Sequence, residues 1–280
     1  MTSLSKYTSF IKFEHTLFSL PLLFAGALFA EGKWPTFRVT VLIIIAGASA
    51  RVVALVLNRI IDREIDRKNP RTANRHLSSG AMSLLEGWLV GVIGLGVYVY
   101  AAWLLSDFCL RWSWIPILGF AAYPFFKRFT KWAHVGLGAV WSIVPLSGYF
   151  AVRPSLQGTA PVFVLGFFSL FWLAGFDIIY ATQDEEFDRR AGLYSLPAAF
   201  GSGRALRFAA LFHFVSFVAL LVLYIFWLSG PITVMLLTSI GILLLLEQLY
   251  SQSIDLAFFH INSIIGITVL IFVLSGLKGV

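Results

Sequence analysis

The chain has 280 residues, 59% of them hydrophobic and 12% charged, with a mean hydropathy of +0.84 and a net charge of +7. Ordinary soluble domains carry about 25% charged residues, so a water-soluble core cannot hide this much apolar surface and a lipid-facing protein follows. The positive residues sit in short loops between apolar runs, as membrane orientation places them, which argues against a nucleic-acid partner.

Nine apolar runs follow in chain order, at 16–30, 39–58, 84–105, 108–124, 134–151, 161–182, 208–228, 231–249 and 257–277. Each is near the ~20 residues that cross a hydrocarbon core. They are long and lack two-residue alternation, so they read as helices. The expected fold is all-α: a polytopic integral membrane protein of about nine transmembrane helices. One domain over 1–280 is expected, because no linker or low-complexity segment divides the chain. Pro21, Pro116 and Pro145 fall inside runs, where transmembrane helices tolerate them. The single cysteine, Cys109, reads as packing; it excludes an internal disulfide and a thiolate cluster.

Lysine and arginine separate by side. Fifteen lie at the N-terminus and in the loops after the second, fourth and sixth runs; five lie on the other side, and Arg51 lies inside a run. The positive-inside rule makes the larger set cytoplasmic. The N-terminus and both aspartate-rich loops then face the cytoplasm, in a multi-pass protein of the cell inner membrane. The first run ends Leu28-Phe29-Ala30, which also admits a cleaved leader; Lys6 and Lys12 agree with a retained, cytoplasmic start.

Two acidic segments carry the chemistry. In the first, Asn58, Asp62 and Asp66 stand at i, i+4 and i+8, which lines three oxygen ligands along one helix face. In the second, Asp177, Asp184 and Asp188 stand at i, i+7 and i+11, again read as one face. Each follows a run that ends on the cytoplasmic side, so two carboxylate faces at one depth are expected to meet across a cavity. Hard oxygen ligands suit magnesium, which takes one or two carboxylates, waters and substrate phosphates. The four aspartates Asp62, Asp66, Asp184 and Asp188, a diphosphate of about −3 and a metal pair of about +4 leave roughly three negative charges. Arg71, Arg75 and Lys127, in the same loops, are the basic candidates. Asp177 and Arg51 stand inside apolar runs, where a charge costs roughly 2.5–3.5 kcal/mol on insertion scales. Both read as functional; a structural pair between them is the plainer alternative. Solvated i, i+4 pairs are the plainer reading of the helix-end charges.

Other residues give less. His15, His76, His134, His213 and His260 show no metal spacing and read as packing or interfacial. Gly201-Ser202-Gly203 reads as a helix start, and Ser195 has no Ser/His/Asp context.

At these segments the chain resembles the UbiA superfamily of membrane prenyltransferases. Asn58 to Arg75 is similar to that family's NDxxDxxxD motif followed by two spaced arginines. Asp177 to Ser195 is similar to its DxxYAxxDxxxDxxxGxxS pattern, and Tyr123-Pro124-Phe125-Phe126-Lys127-Arg128 to the YPxxKR stretch of the 4-hydroxybenzoate branch. The resemblance covers essentially the whole chain. It implies a nine-helix bundle around a central cavity capped by cytoplasmic loops. Asn58, Asp62, Asp66, Asp184 and Asp188 would hold Mg2+ and the diphosphate, with Arg71, Arg75 and Lys127 on phosphate oxygens. Arg51, Asn58, Arg128, Tyr180 and Asp177 would shape the acceptor end. Arg59 departs from the family, standing where the motif usually has its second-position Asp.

The implied activity is transfer of a polyprenyl group from an allylic polyprenyl diphosphate to an aromatic acid in ubiquinone or menaquinone synthesis. The acceptor is 4-hydroxybenzoate or, on the NRxxDxxxDxxNPRTxxR form, 1,4-dihydroxy-6-naphthoate. Asp62, Asp66, Asp177, Asp184 and Asp188 are the catalytic candidates. A transporter is the rival class, from buried Asp177 and Arg51; the acidic segments sit at one face and not at the midplane that transporter sites favour. A CDP-alcohol phosphotransferase would need a DxxDGxxAR-like run, which the chain lacks.

Overall fold

A computed structural model describes residues 9–10, 16–253 and 260–277. The regular structure among them is helical, with no strand. Among the described residues six helices are long and apolar enough to cross a membrane, and two shorter apolar ones accompany them. Large side chains such as Ile93, Phe214, Phe226 and Leu245 are exposed along these helices, as lipid-facing surfaces require. The chain is an integral, multi-pass membrane protein. It divides into two compact units, one of residues 1–17 and 37–125, the other of residues 18–36 and 126–280.

In the first unit α2 (Phe37–Ile61) packs on α4 (Leu84–Leu105), with the short α3 (Arg63–Lys68) between them in sequence. Helix α1 (Thr16–Glu31) falls mainly in the other unit. Ser83 starts α4 with a capping box: its hydroxyl accepts from the Glu86 amide at 3.2 Å, and Glu86 accepts from the Ser83 amide at 2.7 Å. The span expected at 108–124 is broken. It forms α5 (Asp107–Trp112) and α6 (Trp114–Phe126), of 6 and 13 residues. Serines make the break. Ser106 ends α4 and caps α5 by accepting from the Cys109 amide at 3.1 Å. The Ser113 carbonyl then accepts from the Tyr98 hydroxyl at 3.1 Å.

In the second unit α7 (Ala133–Val152) and α11 (Ser202–Trp227) both pack on α8 (Ala160–Ala181). The helix α8 is central: 67% of the apolar window it carries is buried, against 39% in α11 and 22% in α7. Beyond it come a 3-10 turn (Thr182–Asp184), α9 (Glu185–Ala191) and α10 (Leu196–Phe200), and then α11, α12 (Pro231–Leu249) and α13 (Asn262–Gly276). The start of α11 at Ser202 agrees with the glycine-flanked start read from sequence, though six residues before the apolar run at 208–228. The backbones of α1 and α7 touch. A Cβ on Gly26 would stand 1.9 Å from the Pro145 carbonyl oxygen, and one on Gly148 1.8 Å from that of Leu23. Only glycine permits such an approach, the usual small-residue packing of membrane helices.

A buried polar chain crosses this unit. The Trp172 indole donates to Asn262 Oδ1 at 2.8 Å, and Asn262 donates to Glu247 Oε1 at 2.8 Å. His213 Nε2 lies 3.8 Å from the other Glu247 oxygen. Four helices, α8, α11, α12 and α13, thus share one polar seam inside apolar surroundings. Asn262 and Glu247 have no exposed surface.

Candidate active site

The first acidic segment keeps the helical register that its spacing predicts. Asp62 breaks α2 from α3, yet the backbone ladder runs through it: the Asp62 amide donates to the Asn58 carbonyl at 2.9 Å, and the Asp66 amide to the Asp62 carbonyl at 2.8 Å. The three side chains therefore share a face. Asn58 Nδ2 donates to Asp62 Oδ2 at 3.0 Å. Asp66 Oδ2 accepts from Arg75 Nη1 at 2.8 Å. Both carboxyls are nearly shut from solvent, Asp62 at 2% and Asp66 at 5% exposure.

The loop that follows is folded back onto this segment. Thr72 Oγ1 donates to the Asp66 carbonyl at 3.0 Å, and Asn69 Oδ1 accepts from the Arg71 amide at 3.0 Å. Arg63 and Arg67 donate to the carbonyls of Leu77 and Ser78. Those two arginines hold loop backbone, while Arg71 is exposed. Arg59 turns elsewhere: its guanidinium donates to the Phe10 carbonyl at 2.7 Å and lies 4.8 Å from the Phe10 ring centroid. The residue that departs from the family motif is thus a buried anchor for the Ser9–Phe10 segment. Arg51 is half-buried in α2 and interacts electrostatically with Tyr123 of the same unit.

The second acidic segment departs from its expected register. Asp177 lies in α8, Asp184 ends the 3-10 turn and Asp188 lies in α9. Three residues at 120° in place of 100° turn the later aspartates by roughly 60° relative to Asp177, which leaves them within the roughly 100° width of one helix face. Asp184 and Asp188 still act on one another. Burial pushes the Asp188 carboxyl up, a hydrogen bond with Ser195 pulls it down, the neighbouring Asp184 charge adds to the rise and the Lys127 charge opposes it. Lys127 is tied to the same loop, its carbonyl accepting from the Tyr194 amide at 2.7 Å. Gly192 ends α9 at φ 69°, the left-handed conformation that suits a helix C-cap. Tyr180 is half-buried and Arg128 exposed.

The other acids of this segment have structural work. Glu185 Oε2 accepts from the Ser202 amide at 2.8 Å and from its hydroxyl, so it caps α11. Glu186 pairs with Arg190. Asp177 has a partner that sequence spacing did not reveal. His134 Nδ1 stands 2.7 Å from Asp177 Oδ2, and the two are 43 residues apart with no motif joining them.

No three His, Cys, Asp or Glu side chains among the described residues form a metal cage. Magnesium does not need one, since one or two carboxylates with phosphate and water suffice. The donors present fit it: each unit offers a carboxylate pair, Asp62 with Asp66 and Asp184 with Asp188, and hard oxygen atoms only.

Fold and site together define a helical membrane enzyme with acidic, basic-flanked helix ends. Residues 19–264 match the UbiA prenyltransferase family, and the chain belongs to that family. It is a membrane prenyltransferase, which sets the transporter reading aside. It is 30% identical over 219 residues to a 4-hydroxybenzoate octaprenyltransferase of Actinobacillus pleuropneumoniae serotype 3 (strain JL03), covering 77% of this chain and 74% of that protein. It is 32% identical over 205 residues to one of Shewanella sp. (strain MR-4), covering 70% and 69%. Among solved structures, the apo form of a UbiA homolog from Aeropyrum pernix K1 superimposes with a TM-score of 0.85 at 30% identity, over 92% of this chain and 96% of that one. A UbiA homolog from Archaeoglobus fulgidus bound to GPP and Mg2+ shares the fold, with a TM-score of 0.67 at 20% identity over 96% of both chains.

Proposed function

We propose that this enzyme transfers a polyprenyl group from an allylic polyprenyl diphosphate to an aromatic acid acceptor, in a magnesium-dependent reaction of quinone biosynthesis. One observation carries this reading. Each unit ends an apolar helix in a pair of carboxylates with a basic side chain beside it, Arg75 at Asp66 and Lys127 at Asp188. A pair of that kind suits a metal-bound phosphate. The relatives that act on 4-hydroxybenzoate support a phenolic acid as the acceptor.

In this reading Asn58, Asp62, Asp66, Asp184 and Asp188 hold Mg2+, which when bound offsets charge building on the leaving diphosphate. Arg71, Arg75 and Lys127 take phosphate oxygens. Arg51, Asn58, Arg128 and Tyr180 shape the acceptor end. The ring carbon beside the acceptor hydroxyl bonds to the allylic carbon as its C–O bond breaks, and the bonding pair leaves with diphosphate. Asp177 takes the hydroxyl proton. That proton returns to the ring oxygen as the proton on the attacked carbon departs, so one proton and one diphosphate leave per product. The tail enters from lipid. The loop charges support an inner-membrane protein whose N-terminus and aspartate-rich loops are cytoplasmic.

The test is a transfer assay on purified protein with geranyl or farnesyl diphosphate. Separate reactions contain 4-hydroxybenzoate or 1,4-dihydroxy-6-naphthoate, and products are read by mass. Product with one acceptor, abolished by EDTA, identifies both the reaction and the acceptor. Asp62→Ala and Asp184→Ala should each abolish it in folded protein; full activity in either would sink the metal assignment.

A further inference from the structure

His134 is a buried histidine, 4% exposed, in the first turn of α7. Two contacts fix its state. The Leu196 backbone amide donates to Nε2 at 3.3 Å. An amide N–H only donates, so Nε2 is bare and the ring proton sits on Nδ1. Nδ1 in turn stands 2.7 Å from Asp177 Oδ2. The imidazole is therefore the Nδ1–H form and gives its proton to the Asp177 carboxylate in a hydrogen bond. The Asp177 side chain keeps 25% of its surface open, so the bond orients the group without enclosing it.

The other side of the imidazole reaches the phosphate end of the unit. Leu196 follows Ser195, whose side chain hydrogen-bonds Asp188, and the preceding Tyr194 amide is held by the Lys127 carbonyl. One ring thus spans from the turn carrying the Asp188 contact to the aspartate near the C-terminal end of α8. A lone carboxylate in α8 would be costly in lipid, and the Nδ1–H bond compensates it in one orientation.

We propose that His134 is a positioning residue for the transfer step: held in the Nδ1–H form by the Leu196 amide, it fixes the partly open Asp177 carboxylate so that it accepts the acceptor's hydroxyl proton. This rests on the proposed function, in which that proton moves to Asp177 as the ring carbon bonds to the allylic carbon and diphosphate departs. His134 itself neither gains nor loses a proton.

The experiment uses the full chain in detergent. First, histidine-labelled protein is examined by 15N NMR, with His134 assigned by its loss in His134→Asn. A protonated Nδ1 and bare Nε2 are expected; the opposite tautomer overturns the proposal even if the enzyme is active. Second, wild type is assayed with farnesyl diphosphate, Mg2+ and 4-hydroxybenzoate or 1,4-dihydroxy-6-naphthoate. An inactive wild type with the expected tautomer removes the proposed function and with it the transfer role of His134, leaving only the imidazole–Asp177 bond. With active wild type, His134→Leu should lower kcat by about 100-fold, the scale of a misplaced base, with the KM for farnesyl diphosphate unchanged. His134→Asn, which keeps an N–H toward Asp177, should recover most of that loss. In an Asp177→Asn background His134→Leu should cost nothing more. Wild-type kcat in His134→Leu, or losses that multiply in the double variant, overturn the proposal. If His134→Leu does not fold, His134→Asn carries the kinetic test in both backgrounds. Near wild-type kcat with Asp177 intact and no added loss in the Asp177→Asn background are then expected, and a 100-fold loss overturns the proposal.

Discussion

Arg75 Nη1 lies 2.8 Å from Asp66 Oδ2, so the last arginine of the first segment is spent on one of its own carboxylates. Asp66 is buried and Arg75 only partly so. A carboxylate so placed needs a cation beside it, from the protein or from a bound metal. Arg75→Leu should therefore destabilise the protein without Mg2+ and leave it more responsive to Mg2+ than wild type. Thermal unfolding with and without the ion checks this. A Tm equal to wild type in EDTA refutes the dependence. The same variant should raise the KM for prenyl diphosphate at least about tenfold, the loss of one charge-assisted contact of roughly 1.5–3 kcal/mol.

Arg59→Asp restores the usual family residue at a position whose side chain serves the Phe10 anchor. It should remove the bond to the Phe10 carbonyl and cost about 2 kcal/mol of stability, the worth of a charged hydrogen bond. Magnesium affinity in the presence of prenyl diphosphate should not tighten. Denaturation in detergent and a magnesium titration read the two effects separately; a tighter magnesium site would show that position 59 reaches the metal.

Glu185 and Asp184 are adjacent, yet only the first caps a helix. Glu185→Ala should cost about 1 kcal/mol, as a lost helix cap does, and leave the magnesium requirement unchanged. Asp184→Ala should do the reverse. Equal effects of the two substitutions on the magnesium titration would remove the distinction.

Asn262→Leu cuts two hydrogen bonds in the Trp172–Asn262–Glu247 seam. Interhelical bonds in membranes average about 0.6 kcal/mol and reach about 1.7, so a loss of about 1–3 kcal/mol is expected. Glu247→Gln keeps an oxygen for Asn262 and carries no charge, so it should be as stable as wild type. Unfolding in detergent decides; a larger loss in Glu247→Gln than in Asn262→Leu would mean that the seam depends on the Glu247 charge.

Much of this molecule was legible in one dimension because lipid leaves few choices. Long apolar runs must be helices, and every run named above holds at least one among the described residues. The break at Ser113 was not legible, since a serine in an apolar run carries no strong signal and the Tyr98 bond to its carbonyl is tertiary. The face shared by Asn58, Asp62 and Asp66 was readable because the α ladder persists through Asp62. The 3-10 turn at Thr182–Asp184 was not, because a change from 3.6 to 3.0 residues per turn leaves no local mark in the sequence. His134 was set aside as packing for lack of a metal spacing. Its role comes from partners at Asp177 and Leu196, far along the chain, which only the packing of α7 on α8 brings to it.

The touching backbones at Gly26 and Gly148 also bear on traffic. A hydrocarbon chain is several ångströms thick, and the α1–α7 seam leaves no such gap at either glycine. In the proposed reaction a prenyl tail coming from the bilayer does not pass between α1 and α7 at these two points, and a change at either glycine would push the two backbones apart there.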